Sequence, residues 1–226
     1  MKKRVLITGT TSGIGRATAI KFLNCGYDVV GFDIRESSIE RYNYTHYIVD
    51  VSRPDTFPTL EPFNIVINNA GTLDEHRVID TNLMGYIYIA EQYCYQDCIE
   101  SVINVGSISA WSGIEPLRYV ASQGGRMSIT KTMAMQLGNK YKATVNSISF
   151  GAVVTELDKE WFEDPRLVQA IADENILKKW MDVEEAAEWI YFVAVVNKSL
   201  TGQDILIDNG ESANYNFIDV DYFDGK

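Results

Sequence analysis

The chain has 226 residues, 46% of them hydrophobic, enough for one domain with a substantial core and a tight fit for two. Its formal net charge of −11 argues against nucleic acid and anionic membrane surfaces as partners, so any bound phosphate must be held by backbone N–H groups, not by a field of lysines. The basic start Met1-Lys2-Lys3-Arg4 leads only into Val5-Leu6-Ile7, too short a run for a signal peptide, and no stretch reaches transmembrane length. A cytoplasmic protein without a membrane segment is the expectation. Cys25, Cys94 and Cys98 fall in no zinc or redox spacing, so no metal is expected, and buried structural thiols are the simplest reading.

In chain order, short apolar runs rich in Val and Ile alternate with helix-period segments, the pattern of an α/β protein with a parallel sheet. Strands are predicted at 4–8, 28–33, 45–50, 64–68, 101–106, 144–149 and 204–208, and helices at 14–24, 81–96, 117–137 and 183–196. Right-handed crossovers make this a doubly wound, seven-stranded parallel sheet with helices on both faces. The 18-residue step from Asp50 to Asn68 contains Pro54, Pro58 and Pro62 and is expected to be a loop. One domain spans 1–210. A tail, 211–226, carries Tyr215, Phe217, Tyr222 and Phe223; it is either a frayed end or, as four aromatics favour, a segment that packs those rings on the domain or on a partner subunit.

The first strand meets the first helix through Thr8-Gly9-Thr10-Thr11-Ser12-Gly13-Ile14-Gly15. Glycines at 9, 13 and 15 let the backbone turn tightly and approach a pyrophosphate seated at the positive N-terminus of the helix. Flanked by a strand and a helix at the right distances, the motif is specific for a dinucleotide.

This loop resembles the fingerprint of the short-chain dehydrogenase/reductase family, and matching segments, similar to those of 3-oxoacyl-carrier-protein-reductase-like members, recur along most of the chain. The resemblance implies a Rossmann-type fold and a nicotinamide cofactor held by Gly9, Thr11, Ser12, Gly13, Ile14 and Gly15. It places Asp33 on the adenosine ribose, where a carboxylate favours NAD over NADP, although Arg35 two residues on could serve a 2′-phosphate. It assigns Asp50 and Val51 to the adenine, the turn Asn69-Ala70-Gly71 to the adenosine side, and Val153 and Thr155 to the nicotinamide end. Phe150-Gly151 stands where the family carries Pro-Gly, which implies a freer turn there. Segment 156–181, with Trp161, Phe162 and Trp180, corresponds to the family's substrate lid. The aromatic-rich segment from Tyr86 to Tyr95 and the helix after Tyr119 correspond to surfaces that build homodimers or homotetramers.

The same resemblance gives the catalytic set: Asn82, which bends its helix and holds a water; Ser107, which bonds a substrate carbonyl; and Tyr119, which moves a proton to or from the substrate oxygen. The fourth member departs. The motif Tyr119-Val120-Ala121-Ser122-Gln123 ends in glutamine where the family has lysine. That lysine binds the nicotinamide ribose and lowers the tyrosine's pKa, otherwise near 10. Gln123, at i+4 on the same helix face, can keep the hydrogen bond but brings no charge. Arg126 lies two turns beyond Tyr119 and is expected at the surface or a subunit contact. Two functions follow. One is an oxidoreductase acting on a small carbonyl or alcohol, weakened at Gln123 and recoverable by Gln123→Lys. The other is a non-catalytic NAD-binding sensor or scaffold.

Overall fold

The computed structural model describes residues 2–155 and 163–214. Seven parallel strands, β1 (Arg4–Thr8), β2 (Asp28–Asp33), β3 (Tyr44–Ile48), β4 (Ile65–Asn68), β5 (Ser101–Ser107), β6 (Thr144–Phe150) and β7 (Asp204–Ile207), lie in the order β3-β2-β1-β4-β5-β6-β7. Every predicted strand is present, with ends within two residues of expectation. The chain enters at mid-sheet, winds outward through β2 and β3, then returns to the other side of β1 at β4. That reversal leaves a crevice beyond the carboxyl ends of β1 and β4, the position where doubly wound sheets bind ligands.

Strand periodicity assigns each face. Val5 and Ile7 are fully buried against α1 (Gly13–Asn24) and α6 (Val183–Tyr191), in one core with Phe22 and Ile190. Leu6, between them, points into a second core with Phe32, Tyr93 and Leu137, which lies under α2 (Gly85–Tyr93) and α4 (Leu117–Tyr141). Truncating one of these residues, for instance Leu6→Ala, costs about 2–5 kcal/mol. Among the described residues no helix is long and apolar enough to cross a membrane, and no group of three or more His, Cys, Asp or Glu is placed to hold a metal ion.

The prolines behave as expected. Only a short 3₁₀ turn, Pro54–Thr56, interrupts the connection from β3 to β4. The helices depart more. The segment predicted at 81–96 opens as a π turn, Asp80–Met84, and becomes α-helical only over Gly85–Tyr93. Asn82 is the reason at the start, because its side chain grips the backbone of Thr72 instead of facing solvent. At the other end Gln96 Nε2 donates to the carbonyls of Tyr93 and Phe63 and stops the helix. Of the three thiols expected to be buried, only Cys94 is; Cys98 and Cys25 are exposed. Two rings of α2 also turn inward: Tyr86 and Tyr93 are 1% and 4% exposed and belong to the core, whereas Tyr88 is half-buried and Tyr95, just past the helix, is exposed. Conversely, α4 continues through Gly138 to Tyr141, and ends when Lys142 adopts a left-handed conformation (φ 61°).

Two short helices were not expected from the sequence: α3 (Ser109–Ser112) and α5 (Pro165–Asp173), the latter started by Asp164 accepting the Arg166 N–H at 2.9 Å with Pro165 in the first position. Trp161, Phe162 and the four tail aromatics lie outside the described residues. Within the expected lid, Trp180 donates its indole N–H to the Val168 carbonyl at 2.9 Å, and so ties the segment to α5.

Candidate active site

The crevice beyond β1 and β4 is a cleft of about 470 Å³, within the usual range for a ligand site. Its floor is the turn from β1 to α1. Gly9 and Gly13 take left-handed φ values of 76° and 52°. Gly15 is required for a different reason: a Cβ there would stand 2.0 Å from the Gly9 carbonyl oxygen. The helix N-terminus is open to an anion, since α1 has no side-chain cap and no acidic residue in its first turn. A second turn closes over the first. Thr8 Oγ1 accepts the N–H groups of Asn69 and Ala70, both at 2.9 Å, and Asn69 Nδ2 donates back to the Thr8 carbonyl at 3.0 Å. This cradle of bare backbone fits a pyrophosphate in a protein with a strong negative net charge.

At one end of the cleft Asp33, 8% exposed, accepts from the backbone N–H groups of Thr11 and Arg35, each at 3.1 Å. Arg35 bends back over it, with Nε 3.6 Å from the carboxylate and Nη2 donating to Ser12 Oγ at 2.6 Å. Asp50 lies further round. Burial pushes its carboxyl up, but the Ser52 hydroxyl and N–H and the Arg77 guanidinium at 2.6 Å outweigh it, and the net effect is a carboxyl held below the usual range. Arg77 carried no recognisable sequence signal.

At the other end stand Tyr119, Gln123 and Arg126, on successive turns of α4, with Asn82 and Thr155. Helix α4 is pinned behind them by a buried polar chain: Asn68 Nδ2 donates to Asn104 Oδ1, and Asn104 Nδ2 donates to Thr130 Oγ1, both at 2.9 Å. Asn68 and Asn104 are paired in register on neighbouring strands. They are polar positions in otherwise apolar runs, the one signal that could have marked them. Gly125 lets the Asn82 turn approach α4 closely, since a Cβ there would meet Leu83 Cδ1 at 2.8 Å.

Gly9, Ser12, Gly13, Ile14, Asp33, Asp50, Val51, Asn69, Ala70, Gly71, Asn82, Tyr119, Gln123 and Thr155 all line the cleft. Four expected residues do not. Gly15 packs beneath the turn. Thr11 contributes its N–H to Asp33. Val153 is core, bridged to Met181. Ser107 ends β5 with its hydroxyl 3.0 Å from that of Ser109.

Asn82 Oδ1 accepts from the Thr72 N–H (2.8 Å) and Nδ2 donates to the Thr72 carbonyl (2.9 Å), and the amide keeps a second N–H and a second lone pair. Two expectations change. Phe150 does not loosen its turn. Its carbonyl accepts from Ile108 at 2.8 Å, the next N–H donates to Ile207 at 3.0 Å, and the ring is buried in the core. Arg126 is not at the surface. It is 4% exposed, with Nε donating to the Asn82 carbonyl at 2.6 Å and Nη1 to the Val105 carbonyl and, at 3.0 Å, to Gln123 Oε1. Its guanidinium carbon lies 4.1 Å from the centroid of the Tyr86 ring. Burial pushes the Tyr86 phenol up to about 12, with Arg126 drawing it down and Tyr119 adding to the rise.

Known proteins agree with this geometry. The model of the family described as enoyl-(acyl carrier protein) reductase matches residues 9–212. The chain is 27% identical to the L-xylulose reductase of Caenorhabditis elegans, over 94% of its own length and 96% of that protein. It is also 27% identical to a 3-oxoacyl-[acyl-carrier-protein] reductase of Thermotoga maritima, over 92% and 97%. A 4-hydroxyisoleucine dehydrogenase mutant complexed with NADH and succinate superposes with a TM-score of 0.85 at 27% identity, covering 95% of this chain and 100% of that one. ElxO with NADP bound does so with a TM-score of 0.82 at 25% identity and the same coverage. This chain belongs to the short-chain dehydrogenase/reductase family of nicotinamide-dependent oxidoreductases.

Proposed function

We propose that the protein is an NAD-preferring oxidoreductase that moves a hydride between the nicotinamide and the carbonyl or alcohol carbon of a small substrate. The observation that carries this reading is the convergence, in one cleft, of Tyr119 and Gln123 with the glycine cradle, Asp33 and the Asn69-Ala70-Gly71 turn. When bound, the reduced nicotinamide supplies the hydride. The chain's own groups do the rest. The uncapped start of α1 and the Thr8-clamped turn hold the pyrophosphate. Asp33, with an acceptor set fixed by two N–H groups, meets the ribose hydroxyls and repels a 2′-phosphate. Tyr119 gives its proton to the substrate oxygen as the carbonyl is reduced. Reduction uses the neutral phenol, whereas alcohol oxidation uses the phenolate.

One observation favours the second reading, a nucleotide-binding module without turnover. The Ser107 hydroxyl is engaged with Ser109, and Ser107 is absent from the cleft wall. NADH and NADPH binding by calorimetry, beside oxidation of each at 340 nm over a panel of small aldehydes and ketones, separates the two. The enzyme reading expects turnover that Tyr119→Phe lowers by about 10²–10⁴-fold, with NADH affinity changed only a few-fold. Tight NADH binding with no turnover between pH 5 and 10 assigns the protein to the binding class.

A further inference from the structure

We propose that Arg126 is the cation of this active site, and that Gln123 is the ligand that holds it there, so that the positive field on Tyr119 comes from one turn further along α4. The chemistry rests on the hydride-transfer reading above, but the geometry does not.

A guanidinium keeps its proton at every accessible pH, so a full charge lies inside the protein. Among the described residues no carboxylate lies within ion-pair distance of it. Its partners are the neutral carbonyls of Asn82 and Val105, the Gln123 amide oxygen, and the face of Tyr86. These satisfy hydrogen bonds without cancelling charge. An uncompensated buried charge is costly, and a side chain needed only to fill space beside Tyr86 would be apolar. The cost is explained if the charge acts on the cleft.

Two observations direct it there. Nη2 is the guanidinium nitrogen with no hydrogen bond to a described residue, and it lies 3.6 Å from where a Cβ on Gly71 would stand, on the wall shared with Tyr119 and Gln123. Arg126 itself lines the cleft. In addition, the Tyr86 phenol responds electrostatically to both Arg126 and Tyr119, so the two share one neighbourhood.

This arrangement reverses the expectation for Gln123→Lys. Gln123 Oε1 now accepts from Nη1 at 3.0 Å. A lysine would replace that acceptor with a second cation beside a buried guanidinium, instead of repairing a vacancy. The family's charge placement should be recovered only when the charge is moved, as in Gln123→Lys with Arg126→Met.

The test is a pH titration of the ¹³Cζ-labelled tyrosines by NMR in the cofactor-free protein, with Tyr119 assigned through Tyr119→Phe. Alcohol oxidation against pH is followed in parallel. Arg126→Met should raise the ionisation of Tyr119 by about one pH unit or more and shift the pH profile of oxidation alike, whereas Arg126→Lys should keep most of the effect. An unchanged Tyr119 titration in Arg126→Met makes Arg126 a packing residue and overturns the proposal. If Arg126→Met does not fold, Gln123→Lys decides. The proposal expects a lower melting temperature and no gain in oxidation at pH 7; a gain of about tenfold or more at an unchanged melting temperature, the effect expected where only a charge is missing, refutes it. A wild-type protein that never turns over removes the oxidoreductase reading, yet the tyrosine titration still decides the role of Arg126.

Discussion

Alanine at position 15 tests the cradle apart from the rest of the fold. A Cβ there would lie 2.0 Å from the Gly9 carbonyl oxygen and 2.4 Å from Asn69 Nδ2, the former 1.4 Å inside an ordinary contact of 3.4 Å. Neither neighbour can yield alone. The Gly9 N–H is bonded to the Phe32 carbonyl at 2.7 Å, and Asn69 is tied to Thr8 through both its backbone and its side chain. The turn must therefore open as a unit and carry its N–H groups away from the pyrophosphate. Losing two donors to a charged oxygen, at about 1.5–3 kcal/mol each, weakens NADH binding by about 10²-fold or more. Overpacking of about 1–3 kcal/mol lowers the melting temperature by roughly 2–12 °C. Gly124→Ala is the control. Nothing lies within 4 Å of its added Cβ, so it should raise stability by about 0.5–1 kcal/mol and leave NADH binding alone. Calorimetric titration with NADH and thermal melts read both variants. A folded Gly15→Ala protein that binds NADH like the wild type would refute the assignment of this turn as the pyrophosphate cradle.

Two further outcomes are expected. Asp33→Ser should weaken NAD binding by about 10- to 100-fold through loss of a charged acceptor. It also frees Arg35, now 3.6 Å from that carboxylate, so the NAD-to-NADP ratio of dissociation constants should move towards NADP; a ratio that stays put removes Asp33 from cofactor selection. At Tyr86, burial raises the phenol to about 12, above its unfolded value near 10. That contribution is complete below pH 10 and is lost as pH rises from 10 to 12, amounting to about 2–3 kcal/mol. Melting curves across this range should fall more steeply in wild type than in Tyr86→Phe, and parallel curves would show that Tyr86 is not the buried group responsible.

Much of the fold could be read from local sequence because its strands are buried on both faces. Runs such as Val5-Leu6-Ile7, fully buried here, have no competing use. The glycine turn was equally readable, since left-handed φ values and a backbone contact of 2.0 Å admit little else. What local sequence did not carry was the end of each helix bearing a function. The segment at 81–96 has a helical period throughout, but Asn82 gives its amide to Thr72, ten residues earlier, and the first turn widens to a π turn. The inward turn of Tyr86 and Tyr93 was hidden for a related reason. Their hydroxyls reach the carbonyls of Val105 and Pro58, whose positions depend on the sheet order and not on the helix itself.

Gln123 and Arg126 mark the same boundary within the site. A missing lysine is legible because it departs from a pattern of five consecutive residues. The group that answers for it is not, since the oxygens that draw Arg126 inward lie 44 and 21 residues away along the chain, at Asn82 and Val105. On a helix wheel an arginine two turns from Tyr119 reads as a solvated charge. Only the folded chain shows the π turn presenting the Asn82 carbonyl, Gly125 allowing that turn close to α4, and the Tyr86 face completing the shell. Each is ordinary alone. Together they make a socket specific for a planar cation with several donors, which a lysine at 126 could fill only in part. A change at one catalytic position is thus better judged by where the nearest buried charge has gone than by the residue that was lost.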